Sequence, residues 1–140
     1  MNEIVNRHES LRTTFAIKDE QPVQVVAPFT PSKLDIVNLT NLDPTARESA
    51  VRELVNEAAQ RPFDLTCGPL FRTRLLQLDE QEHVLLLTLH HIVGDGWSLS
   101  ILLRELGHLY CAFSEGRPSP LAKLPLQYAD YAIWHREHLD

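Results

Sequence analysis

Two adjacent imidazoles, His90 and His91, close an apolar run, and a carboxylate, Asp95, follows between Gly94 and Gly96 in the stretch HHIVGDGWS. An imidazole exchanges protons near neutral pH, so one placed at a strand end suits general acid–base chemistry. Successive strand side chains point to opposite faces. His91 then shares a side with Leu85, Leu87 and Leu89, and His90 shares the other with Leu86 and Thr88. One ring can do chemistry while the other is buried and hydrogen-bonded as support. Glycines on either side of Asp95 permit a tight loop and a close approach. Asp95 has two jobs open to it. It can orient the imidazole, as the third member of a triad does, or it can pair with an arginine and fix the loop, because a buried carboxylate needs such a partner. Arg7, Arg12, Arg72 and Arg74 are the candidate partners in the first half of the chain.

Other uses of these residues fit less well. A histidine on an apolar strand is often structural. A metal site would use His, His and Asp, but adjacent strand residues diverge and no further ligand cluster accompanies them, so no metal is expected. A serine hydrolase is disfavoured because there is no G-x-S-x-G turn. Cys67 and Cys111 form neither a disulfide framework nor a metal-ligand spacing, and reduced thiols suit a cytoplasmic protein.

The elements that must position the motif follow from the pattern. Residues 1–10 read as the last turns of a helix. LRTTFAI alternates as a half-buried strand with Leu11, Thr13, Phe15 and Ile17 on one side; KDEQ turns, and PVQVVA is its hairpin partner. LDIVNL is a further short strand. Asp43 caps a helix with Pro44 in its first turn and a stripe of Ala46, Ala50, Val51, Leu54, Val55 and Ala58, ended by Pro62. GPLFRTRLLQL and HVLLLTLHH form a second hairpin, and the near-continuous leucines of the latter suggest a strand buried on both faces, inside a sheet. Ser98 is a reasonable cap for the helix that follows, whose stripe reads Leu99, Leu102, Leu103, Leu106, Tyr110 and Phe113. A closing helix carries Tyr128, Tyr131 and Trp134, expected in the core. Strands and helices mix around one layered core, an α/β sandwich.

The 140 residues suffice for one modest domain, and a hydrophobic fraction of 44% with 23% charged residues is that of an ordinary globular protein. A net charge of -6 argues against nucleic acid as a partner. The longest run of large aliphatics, Val84 to Leu87, is far short of a membrane span, and the N-terminus lacks the apolar region of a signal peptide.

HHIVGDG is an HHxxxDG motif and resembles that of the condensation domains of non-ribosomal peptide synthetases. RHESLRTTF (Arg7 to Phe15) is similar to the family's RHExLRTxF motif. RPFDLTCGPLFRTRLLQL is similar to its PFDL and GPLxR segment, and LPLQYADYAIWHREHL to the segment after the histidine-motif helix. The four matches come in family order and cover nearly all of the chain.

The resemblance implies a fold like chloramphenicol acetyltransferase: a two-layer α/β sandwich, a mixed sheet with helices packed on it. Two such lobes form a V with a tunnel between them. Carrier proteins bring an acyl or peptidyl donor and an aminoacyl acceptor, each as a thioester on a phosphopantetheine arm, and the acceptor amine attacks the donor to form an amide. The chain would bind no cofactor itself. Its partners would be carrier protein domains, an adenylation domain and a C-terminal lobe. On this reading residues 1–140 are most of an N-terminal lobe, without the first strand and the C-terminal lobe. His91 matches the motif's second histidine and would act as general base on the amine, or position it and stabilise the tetrahedral intermediate. His90 and Asp95 match supporting positions. Gly96 matches the final glycine, whose N–H could help hold an oxyanion. Arg7 and Arg12 match the arginines of RHExLRTxF and are favoured over Arg72 and Arg74 as partners of Asp95. An epimerisation domain or free-standing acyltransferase of the same superfamily, and a non-catalytic interaction fragment, are the alternatives.

Overall fold

In the computed structural model, which describes residues 1–139, two small sheets carry four helices. The chain opens with α1 (Asn2–Arg7) and a single 3-10 turn (Glu9–Arg12), then makes the antiparallel hairpin β1 (Thr13–Lys18) and β2 (Gln21–Val26). Asp19 and Glu20 turn this hairpin, both at positive φ (50° and 62°), the backbone twist a two-residue hairpin loop requires. β3 (Asp35–Asn38) follows, then α2 (Pro44–Gln60), β4 (Phe71–Gln77), β5 (His83–Leu89), α3 (Gly96–Ser114) and α4 (Tyr128–Leu139). The second sheet has the order β3-β4-β5, parallel at the first junction and antiparallel at the second. It is the mixed sheet expected of an α/β sandwich.

The register of β4 on β5 sets which side chains meet the helices. Phe71 lies opposite Leu89, Thr73 opposite Leu87 and Leu75 opposite Leu85, so these share one face. That face meets α1 and α3. Ile4, Leu11, Phe71, Leu102 and Leu109 form the buried cluster, and Leu87, Leu89, Val5 and Leu121 pack on it. Arg72 and Arg74, opposite Thr88 and Leu86, occupy the other face. There Arg74 pairs with Asp35 across the β3–β4 junction (2.7 Å) and with Glu57 of α2 (3.5 Å).

The α2 expectation holds at its N-terminus: Asp43 accepts from the Thr45 and Ala46 N–H groups and Pro44 is the first helical residue. Three other expectations need correction. β5 is not inside the sheet; among the described residues it pairs with β4 alone, and β4 is the central strand. Consecutive leucines report contact on both faces of a strand, which says nothing about pairing along both edges. On α3 the buried residues are Leu102, Glu105, Leu109 and Ala112, whereas Leu103, Tyr110 and Phe113 are exposed. The helix is apolar around more than half its circumference, so periodicity alone does not select the inward face; the contact with α1 does. The aromatics of α4 are not core: Tyr128, Tyr131 and Trp134 are 59%, 50% and 49% exposed. They stack along their own helix instead, with ring centroids 6.0 and 6.1 Å apart, and Trp134 stacks on His138 at 5.1 Å.

Candidate active site

β5 ends at Leu89, and the two imidazoles that follow diverge. The His90 N–H donates to the Leu70 carbonyl (2.9 Å), which extends the β4–β5 ladder by one bond. Its Nδ1 accepts from the Ile92 N–H (3.1 Å), so the His90 ring closes the turn under itself. The ring edge meets Phe63 at 5.8 Å, and the guanidinium of Arg72 covers the same phenyl ring at 3.8 Å. His90 lines neither of the two described cavities. His91 is exposed and lines a cavity of about 420 Å³ with His8, Leu11, Phe15, Asp95 and Tyr128. That volume is in the range of small-molecule sites. The separation of a supporting and an accessible imidazole is therefore present in the structure.

The loop between His91 and α3 is drawn tight by local bonds. Val93 is buried and its N–H donates to the His90 carbonyl (3.0 Å). Gly94 sits where a Cβ would come within 3.3 Å of Leu89 Cδ1 and 3.4 Å of Ser98 Cβ, so a side chain there would push the loop off the strand end. Gly96 has no such neighbour; a Cβ there would meet nothing within 4 Å.

Asp95, not Ser98, caps α3. Its carboxylate accepts from the Ser98 N–H (2.8 Å) and from the Ser98 hydroxyl (2.7 Å). These two bonds, backbone first, hold the carboxyl below its ordinary value against the opposing effect of burial, and His91 nearby adds a smaller pull in the same direction. The expected arginine partner of Asp95 is not found. Arg7 Nε bonds Glu105 (3.0 Å) and its Nη1 donates to the Ala122 carbonyl. Arg12 bonds Glu9 (3.2 Å) and the Ala27 carbonyl and lines a second cavity on the opposite side of the sheet. Arg72 donates to the Arg61 and Pro62 carbonyls. Asp95 is exposed, so it has no need of a cation to offset burial, and the amides of a helix start supply its partners.

Glu105 is the residue that sequence reasoning missed. It is 7% exposed on the inward face of α3 and takes Arg7 Nε on one oxygen and His8 Nε2 on the other (2.6 Å). Burial is the largest single influence on this carboxyl and pushes it up, but the bonds and charges of His8 and Arg7 together outweigh it and hold it below its ordinary value. The signal was available: a carboxylate at helical spacing between Leu102 and Leu109 must find cations, and an Arg-His pair stands at the end of α1. Gln127 completes this corner by accepting from the Glu9 N–H (3.2 Å) and donating to the Arg7 carbonyl (3.0 Å), which fixes the start of α4 beside the cavity. Among the described residues no group of three His, Cys, Asp or Glu side chains could hold a metal ion, and no helix is long and apolar enough to cross a membrane.

A family model of the condensation domain matches residues 1–140. Chondramide synthase cmdD of Chondromyces crocatus is 50% identical over 98% of this chain, and a linear gramicidin synthase of Brevibacillus parabrevis is 48% identical over 97%. The chain spans only 4% and 3% of the lengths of these two relatives. Among solved structures, the X-domain from teicoplanin biosynthesis superposes with a TM-score of 0.84 at 36% identity, over 99% of this chain and 29% of that one. A match along its whole length, with the divergent histidine pair seated where β5 meets α3, places this chain in the condensation-domain family.

Proposed function

We propose that this chain is most of the N-terminal lobe of a condensation domain and carries its proton-handling residue, His91, in a larger synthetase that forms amide bonds in non-ribosomal peptide biosynthesis. The observation that carries the reading is the placement of His91: exposed, at the end of a strand, on the wall of a cavity large enough for two reacting groups. An acceptor amine reaches such a site as an ammonium. It loses a proton to the imidazole, and its lone pair attacks the carbonyl carbon of the donor thioester. The C–N bond forms, the carbonyl becomes an oxyanion, and on collapse the C–S bond breaks. The thiolate of the donor's phosphopantetheine arm leaves and takes up a proton.

The start of α3 faces this chemistry with a favourable field. The carboxylate of Asp95 and its carbonyl take the Ser98 and Leu99 amides, which leaves the Gly96 and Trp97 N–H groups at the positive end of the helix without an intrahelical acceptor. The open space at Gly96 leaves room for a reacting group beside those amides. In this reading His90 holds the turn, Asp95 holds the helix start, and Arg7 holds the α1–α3 corner through Glu105. Arg12 braces the segment between the 3-10 turn and β2 and has no part in the chemistry. Donor and acceptor arrive on the phosphopantetheine arms of carrier protein domains loaded by adenylation domains, and a C-terminal lobe supplies the facing wall.

The test is His91→Ala in the full synthetase, loaded with both carrier-bound substrates, with amide formation read by mass spectrometry of the bound intermediates. A loss of at least about 100-fold is expected, the lower end of what a general base contributes. Amide formation within a factor of three of the parent would overturn the assignment.

A further inference from the structure

The proposed reaction uses one imidazole of the cavity, but the cavity has two. His8 lines it together with His91, and its side chain is 20% exposed. Behind His8 stands Glu105, whose Oε2 lies 2.6 Å from His8 Nε2. An ionised carboxylate only accepts, so the proton of this bond sits on Nε2. In the neutral ring that choice leaves Nδ1 as a lone-pair acceptor, and among the described residues no protein group bonds to it. The arrangement is that of a carboxylate fixing the tautomer and orientation of an imidazole whose other nitrogen is open. Arg7 on the second oxygen of Glu105 keeps the carboxylate ionised, so the tautomer does not drift. The charged or titratable groups around His8 are Arg7 on α1, Glu105 on α3, His91 and Asp95 on the motif loop, and the Tyr128 phenol on α4.

We propose that His8 is a second amine-recognising group of this cavity, held by Glu105 so that its Nδ1 accepts a hydrogen bond from the ammonium of the acceptor substrate. The inference rests on the reading that an acceptor amine enters beside His91, and it adds a residue that neither the HHxxxDG motif nor its loop contains. His8 binds and orients the ammonium; the C–N bond still forms with proton removal at His91.

The experiment is a long-range proton–nitrogen NMR titration of the 140-residue chain labelled with 15N-histidine. The probe is glycyl-aminopantetheine, a stable amide analogue of an aminoacyl arm. Its N-acetylated form, which lacks the ammonium, is the control. Without probe, His8 should show a protonated Nε2 and an unprotonated Nδ1. With the amine probe, the Nδ1 signal of His8 and the ring signals of His91 should shift together, with the acetylated probe at least tenfold weaker. A shift at His91 alone would overturn the role of His8 and leave the proposed function standing. A shift at His8 alone would support the amine site and count against His91. No shift at either ring would overturn both. Glu105→Gln should scramble the His8 tautomer and weaken its response while the His91 response persists. If that variant does not fold, the titration of the parent chain still decides.

Discussion

Glu105 is the most informative residue to perturb, because its replacement separates packing from charge. Glu105→Ala removes a carboxylate that is 7% exposed and strands two cationic partners whose side chains are only 14% and 20% exposed. Breaking a buried ion pair by removing one partner costs about 3–5 kcal/mol. Arg7 keeps its bond to the Ala122 carbonyl, and His8 retains some access to water, so the low end applies, about 3 kcal/mol. Glu105→Gln should cost less, about 1 kcal/mol, because Arg7 can still donate to the amide oxygen and His8 can switch tautomer to accept from the amide nitrogen. Urea unfolding followed by circular dichroism measures both. With a slope of about 1.5 kcal/mol per molar urea, the alanine midpoint should fall by about 2 M. The pH dependence adds a sign. The carboxyl of Glu105 is held below its ordinary value of 4.5 in the folded chain, so the unfolded chain binds the proton first on acidification. The stability it contributes is therefore fully present above about pH 4.5 and is lost as the pH falls through the folded value. The gap between parent and Glu105→Gln should narrow accordingly. An alanine variant within about 0.5 kcal/mol of the parent, the range of an ordinary surface change, would refute the account of the α1–α3 corner.

Asp95→Ala should lower the melting temperature by a few degrees through loss of the α3 cap, while Asp95→Asn should stay close to the parent because asparagine caps equally well. If the asparagine variant falls as far as the alanine one, the charge itself matters and the capping account fails. Gly68 stands at φ +65° with Thr14 Cγ2 3.0 Å from where a Cβ would sit, so Gly68→Ala should destabilise by about 1–2 kcal/mol in the same urea assay. Gly96→Ala has open space and no such backbone demand; its unfolding midpoint should match the parent, and a large fall would place an unseen contact at the start of α3.

The local elements were legible because they depend on near neighbours. Alternation over Thr13–Lys18, the turn at Asp19 and Glu20, the Asp43–Pro44 start of α2 and the β4–β5 hairpin all follow from residues a few positions apart. The divergence of His90 and His91 follows from strand geometry alone, and the motif's likeness to the condensation family was readable in four short segments. What the sequence could not decide were choices between alternatives of equal local merit. Asp95 had an arginine or a helix start as possible partners, and the nearer one, three residues along the chain, prevailed. The apolar girth of α3 left its inward face open until α1 met it, and that meeting drew Glu105 inward against Arg7 and His8, 98 and 97 residues away in sequence. The aromatic ridge of α4 had the spacing of a core stripe, yet its rings stack along one helix with no layer over them among the described residues. Periodicity records which side chains share a face. Which face is covered, and which distant charge neutralises a carboxylate there, is decided only when the elements pack.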